Sequence, residues 1–465
     1  MENQQTSREL GQQIEAASTT IGTLISLGKK DLAENVANVL YSANPNDIDL
    51  KDFYASALYR LKRQIPLAAS LALEVYRHRP REMNRLQGTS RCLLLAGRAP
   101  EAEQLVREAI NAEPHQLDLQ IELSYLVGFQ GQFDSSILIL KNIIARNPNH
   151  VVAHFHMGWH DVYNGRVEEG LAKIALGRRV WTWGTYGMLP AEAAWDGISP
   201  FTADHIFLIG EGGVGDQIMT FGMANALAER SKKRVILVTR PELVEIAKRS
   251  VASERVLITG EIPKSASAPW VAGLEFGKMI PEGRPPFPLG PYLKVDSRRA
   301  ETWKRAIATV SASKKVVGLR WSGDVNHELE SHRRLPSEDV IAFAKSFPNV
   351  VFVPLYAAGE NEEMPKADNI VKLPESILDW EDTAAIIGCV DAVVSSCTSS
   401  AHLSAALGRP TWVLNPIWPY YTWAQKDESS YWYGDHVRVL RQKKYRDWRG
   451  PFSDLRAEFA KKFSS

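Results

Sequence analysis

The sequence predicts an α + α/β chain: an N-terminal α-solenoid followed by two doubly wound α/β lobes. Three observations point there. Residues recur at a step of 34 or 35 through the first 180 positions. From His205 onward, short β-branched runs alternate with helical stretches. A glycine-rich loop and a hydroxyl-rich turn each stand where such a run gives way to a helix, the place where open α/β sheets bind ligands.

Prolines stand at Pro45, Pro80, Pro114 and Pro148, spaced by 35, 34 and 34. Gly97, Gly131 and Gly165 keep the 34-residue step, as do the small residues Ala68, Ala102, Ser136 and Gly170. Each unit reads as two helices. In MNRLQGTSRCLLLAGR followed by APEAEQLVREAINAEP, the glycine ends the first helix in a left-handed residue. The small residue falls where the paired helices approach, and the proline closes the second helix. These features resemble the tetratricopeptide repeat, with about five copies over residues 17–180 of a repeat domain spanning 1–180. Arrays of this kind present a concave face to extended peptides or protein surfaces, so the resemblance implies a partner or acceptor protein.

The stretch 181–204 breaks the period and is rich in Trp, Gly and Pro, which reads as a packed linker. The runs at 205–209, 234–239 and 255–259 then predict buried parallel strands, with helices near 216–230 and 241–250. A second set of strands is predicted at 316–321, 350–355, 369–373, 391–396 and 411–415, with helices near 337–346, 380–388 and 401–407. The lobes are placed at 205–310 and 311–440, with a cleft between them. The tail, 441–465, contains the amphipathic PFSDLRAEFAKKF, expected to cross back and brace the first lobe.

Two sites face that cleft. GEGGVGDQI follows the first strand; Gly210, Gly212 and Gly215 fit the G-x-G-x-x-G loop that approaches a pyrophosphate, and Asp216 follows at once. Gly212, Gly213 and Gly215 form the turn of this loop. In the second lobe a strand ends in Cys397-Thr398-Ser399-Ser400 and a helix begins at Ala401-His402. Exposed N–H groups at a helix start, with adjacent hydroxyls, suit a phosphate. A third stretch, GLRWSGDVNHELESHRRLP, carries Arg320 and Ser322 near a strand's carboxyl end and Arg333-Arg334 beyond, a pair able to clamp a diphosphate. The Trp and Tyr residues of 412–448 could stack on a base or sugar, although any single one is better assigned to core.

Composition bounds the alternatives. Formal net charge is +1, so no global field favours nucleic acid. Cys92, Cys389 and Cys397 are too scattered for a disulfide framework or zinc site, which fits a reducing compartment. No secretory signal or membrane-spanning run is visible, and a cytoplasmic location is expected.

The order WDG…LIGEGGVGDQI, GLRWSG…RRLP and DAVVSSCTSSAHLSAALGRPTWVL resembles the heptosyltransferase-type, family 9 glycosyltransferases, across nearly the whole chain. That resemblance implies a GT-B fold of two Rossmann-like lobes, a nucleotide-diphosphate sugar as co-substrate, and no cofactor or metal. By position it implies Asp216 as the catalytic base, the Gly212, Gly213 and Gly215 loop on the acceptor side, and Arg333 as a phosphate contact. It places Thr398, Ser399 and Ser400 in the diphosphate turn and makes His402 the motif histidine. Arg334 joins the diphosphate set, and Arg320, Ser322 and Cys397 are donor-sugar or loop contacts. Cys397 stands where the family usually carries Asp, which leaves the sugar open. The acceptor is expected to be a protein, such as flagellin or another surface protein, with a lipopolysaccharide or polysaccharide acceptor, or a non-catalytic nucleotide-sugar-binding adaptor, as alternatives. Arg240, at the end of the second strand, keeps an NADP-dependent reading open. The helix start beside Asp216 is expected to lower its pKa.

Overall fold

The computed structural model describes the chain except residues 1, 81, 183, 264–267, 280–289, 326, 357–363, 424, 426–427 and 464–465. Trp183 of the linker and Asn326 of the polar loop therefore lie outside the described residues. The chain forms two compact units, 1–139 and 140–465.

Ten helices come first: α1 (Glu2–Ser26), α2 (Lys30–Ala43), α3 (Ile48–Leu61), α4 (Ile65–His78), α5 (Met83–Leu95), α6 (Ala99–Ala112), α7 (Leu117–Phe129), α8 (Phe133–Arg146), α9 (Val151–Tyr163) and α10 (Val167–Val180). The periodic residues do what the spacing predicts. Gly97, Gly131 and Gly165 take left-handed φ values of 78°, 86° and 82° between paired helices. Ala68 and Ala102 are fully buried within the first unit. Each proline follows a helix end at Ala43, His78, Ala112 or Arg146. The division between units falls inside α8, not at 180, so the α9–α10 hairpin belongs to the same compact unit as the α/β lobes. Within that hairpin, a Cβ on Gly170 would stand 2.5 Å from the Gly158 carbonyl oxygen.

The first lobe holds β1 (His205–Ile209), α11 (Val214–Ser231), β2 (Arg234–Val238), α12 (Val244–Val251), β3 (Val256–Thr259) and β4 (Trp270–Ala272). Its parallel sheet runs β3-β2-β1-β4. The segment before it is packed: Tyr186 and Trp195 are buried, and Trp270 Nε1 donates to the Pro190 carbonyl at 3.0 Å.

Helix α13 (Ser297–Ser311) leads to the second lobe: β5 (Lys315–Arg320), α14 (Glu330–Arg333), α15 (Ser337–Lys345), β6 (Val350–Pro354), α16 (Trp380–Cys389), β7 (Ala392–Ser396), α17 (Ser399–Ala406), β8 (Thr411–Asn415), β9 (Ser429–Ser430), β10 (Gly434–Arg441) and α18 (Arg449–Phe463). Its sheet order is β6-β5-β7-β8-β10-β9, antiparallel only at β9–β10 among the described residues. Residues 369–373, expected as a strand, make just an isolated bridge, Phe352 to Ile370. Val371 N–H reaches the Phe352 carbonyl, but the chain then turns off the sheet edge. Strands β4 and β10 and helix α13 lay outside the expectation; β4 is three residues long, and β10 carries His and Arg.

The tail does not brace the first lobe. Helix α18 lies on the second lobe's sheet. Phe459, fully buried, meets Phe343, Phe347 and Trp412 at ring distances of 5.1, 4.6 and 5.3 Å. Glu458 accepts from Trp412 Nε1 at 2.9 Å and from Arg438 Nη2 at 2.8 Å. The apolar stripe was legible, but β10, the strand that receives this ion pair, was not. Replacing Phe459 with Ala should cost ~3–5 kcal/mol by cavity formation, read by denaturant unfolding of the full chain. A loss under about 1 kcal/mol would contradict this packing.

Candidate functional site

The two motifs meet. The glycine loop ends at the first turn of α11, and the hydroxyl turn ends at the first turn of α17. Gly215 N–H donates to Ser399 Oγ at 3.0 Å. A Cβ on Gly215 would lie 2.6 Å from His402 Cδ2 and 3.3 Å from Ser399 Cα. Glycine is needed here for close approach between helices of different lobes.

Asp216 sits in the first turn of α11. Its Oδ2 accepts from Gly213 N–H at 2.8 Å. Gly212, at φ 69°, lets the loop fold back; a Cβ there would stand 2.5 Å from that same oxygen. The expected lowering of the Asp216 pKa is reversed. Burial drives its carboxyl up from 3.8 to about 6, outweighing the Gly213 hydrogen bond and the positive fields of Arg178 and Arg333. One backbone donor cannot replace the water that the neighbouring lobe excludes.

Arg333, mostly buried at the end of α14, reaches the hydroxyl turn. Its Nη1 donates to the Cys397 carbonyl at 3.2 Å and its Nε to Glu330 at 2.6 Å. Arg334 is exposed and caps α14, so the two arginines do not form a matched clamp. Thr398 is the N-cap of α17; its hydroxyl faces inward to Ser395 Oγ at 3.0 Å. Ser400 is buried, and Ser399 commits its oxygen to Gly215. What the turn offers an anion is thus the start of α17 and its dipole, with Arg333 alongside.

The other expected contacts are held by neighbouring side chains and carbonyls. His402 Nδ1 lies 2.9 Å from the Tyr433 hydroxyl, its ring 4.5 Å from that of Trp423, and burial pushes its pKa down to about 3. A neutral, packed imidazole adds no charge to a diphosphate. Burial raises the Cys397 thiol to about 11, which disarms it as a nucleophile. Arg320 lies over the Tyr356 ring at 3.7 Å and donates to the carbonyls of Ser322 and Leu355 at 2.7 Å. The Ser322 hydroxyl is 2.6 Å from that of Tyr356. Both support the loop from beneath. Arg240, raised for a ribose phosphate, pairs with Glu242 at 2.5 Å. Of the aromatic residues in 412–448, Trp412, Trp423, Trp432 and Trp448 are buried, while Tyr420 is 37% exposed beside Asp216's field.

Several participants escaped the sequence. Trp321 Nε1, Ser396 Oγ and Asn415 Oδ1, at the carboxyl ends of adjacent strands β5, β7 and β8, are buried without a hydrogen-bond partner among the described residues. Buried polar atoms ordinarily find a partner, so three along one sheet edge leave room for hydrogen bonds from a ligand or water. Arg178 of α10 donates from Nη2 to Glu211 of the glycine loop at 2.5 Å, with both side chains buried. Glu211 was legible as part of the loop, but no local pattern links it to α10.

No family model matches the chain. The protein FlbA of Caulobacter vibrioides is 21% identical, over 81% of this chain and 73% of its own. A glycosyl transferase family 9 structure from Veillonella parvula superposes on 58% of this chain and 92% of its own, at 9% identity and a TM-score of 0.40. A tetratricopeptide-repeat protein of Thermus thermophilus covers 36% of this chain and 90% of its own, at 18% identity and a TM-score of 0.28. No helix among the described residues is long and apolar enough to cross a membrane.

The raised pKa has a stability signature. The folded chain holds its Asp216 proton more tightly than the unfolded chain. Ionised Asp216 therefore costs stability above about pH 6, and the cost vanishes below the ordinary 3.8. Asp216→Asn should stabilise the protein at pH 7–8 by ~1–2 kcal/mol, after allowance for partial exposure, with the gain fading toward pH 4. A melting temperature unchanged or lowered at pH 8 would contradict the burial of this carboxylate.

Proposed function

We propose that this protein is a glycosyltransferase that moves a sugar from a nucleotide-diphosphate donor to an acceptor hydroxyl. The observation that carries the reading is a desolvated carboxylate, Asp216, set where the glycine loop meets the phosphate-competent start of α17, with Arg333 within its field. The unpaired polar atoms along the carboxyl edge of β5, β7 and β8 support a ligand there.

In this reading Asp216 is the general base. A carboxylate titrating near 6 is ionised at neutral pH and a stronger base than an ordinary aspartate. It takes the proton of the acceptor hydroxyl as that oxygen attacks the anomeric carbon, on the face opposite the departing diphosphate, so the anomeric configuration inverts. The α17 dipole and Arg333 meet the charge that develops on the leaving group, with no step assigned to a metal or cofactor. Cys397 leaves the sugar pocket without the carboxylate usual at that place, which favours a sugar other than heptose. The helical-hairpin array of the first unit recruits the acceptor, a protein by the general habit of such arrays.

Two measurements test this. A nucleoside diphosphate should raise the melting temperature of the full chain, and Arg333→Ala should abolish that rise. Incubation with nucleotide sugars and candidate acceptor proteins should add a sugar-sized mass, and Asp216→Ala should lower the rate by about 100-fold or more. Transfer undiminished in Asp216→Ala, or no nucleoside diphosphate that shifts the melting temperature, would overturn the assignment.

A further inference from the structure

The buried ion pair between α10 and the glycine loop has no part in the mechanism above. Arg178 is 5% exposed and Glu211 6%. Glu211 stands between Gly210 and Gly212, and its carboxylate is held from three directions. Arg178 Nη2 donates to its Oε2 at 2.5 Å, as does Leu274 N–H at 3.3 Å. Its Oε1 accepts from Thr185 N–H at 2.7 Å and from Thr185 Oγ1 at 2.8 Å. The next residues are Gly212, where a side chain would run into the Asp216 carboxylate, and Gly213, whose N–H donates to it. A buried charge pair contributes little to stability by itself, because apolar side chains would avoid its desolvation. Arg178 Nη1 is also buried without a hydrogen-bond partner among the described residues, so the guanidinium is not arranged for maximal pairing.

The hairpin that supplies Arg178 grips the other lobe as well. Trp159 of α9 stacks on Trp418 at 6.0 Å and meets the edge of Tyr421 at 5.5 Å, in the segment that follows β8. Tyr421 lies within the fields of both Arg178 and Asp216. One helical hairpin thus touches the loop bearing Asp216 and the aromatic segment facing it.

We infer that Arg178 is a positioning residue for Asp216, acting through Glu211 and the glycine loop, so that the last hairpin of the helical series completes the site of the α/β lobes. This rests on the reading of Asp216 as the base. The charged and titratable groups facing Asp216 are Arg178 from α10, Glu211 from its own loop, Arg333 from α14, Tyr420 and Tyr421 from the segment after β8, and Tyr433 ahead of β10. Arg178 and Arg333 favour its ionised form; Glu211 opposes it.

The test needs no sugar transfer. Melting temperature is measured against pH for the full chain and its Asp216→Asn variant, and the difference isolates the titration of Asp216. The same pair of curves is taken in an Arg178→Met background and an Arg178→Gln background; subtraction removes the titration of an uncompensated Glu211. The midpoint should lie near pH 6 with Arg178 present. It should move up by about half a pH unit or more in Arg178→Met, by less in Arg178→Gln, and return in Arg178→Lys. If Arg178→Met does not fold, Arg178→Gln, which keeps donors to Glu211, carries the comparison. A midpoint that stays put in a folded variant overturns the proposal. So does a drop in melting temperature that is uniform across pH, the mark of a merely structural pair. A moved midpoint without transfer from any donor would sink the transferase reading and leave standing only the coupling of Arg178 to Asp216.

Discussion

The approach of two helix starts, one from each α/β lobe, is the constraint on which the site depends. Gly215 has no side chain, so α11 can bring its first turn against Ser399 and His402 of α17. Its N–H, one of the donors that a helix start leaves without an intrahelical partner, finds Ser399 Oγ. Once the helices are this close, Asp216 is partly cut off from water, and the start of α17 stands beside the turn that carries it.

That closeness sorts the neighbouring side chains by what burial does to them. An aspartate loses solvation and becomes a better base. A cysteine loses its route to a thiolate, and a histidine loses its route to a cation. The same physical effect makes the carboxylate more basic and holds the thiol and the imidazole neutral. The sign depends only on which protonation state carries the charge. Asp216 is tolerated in this condition because the left-handed turn at Gly212 and the N–H of Gly213 give it one fixed place to sit.

The second unit is therefore more than two lobes. The α9–α10 hairpin has the residue pattern of the helices before it, yet it packs with the α/β lobes. It reaches Glu211 with a charge and the segment after β8 with an aromatic face. Likewise α18, the last helix, finishes the core beneath the second sheet rather than the first.

The helical hairpins, the placing of loop and turn at strand ends, and the glycine loop itself were determined by sequence alone, because they rest on local rules. A period of 34 residues, a left-handed glycine and a β-branched run each act within a short reach of chain. Asp216 and the 398–400 turn were legible for the same reason. Tertiary structure decided what those residues became. Desolvation, which raises Asp216 and neutralises His402, is a property of what lies opposite. Asp216 and Arg178 are 38 positions apart in the chain, and Gly215 and Ser399 are 184 apart. No spacing rule reaches that far; only packing does.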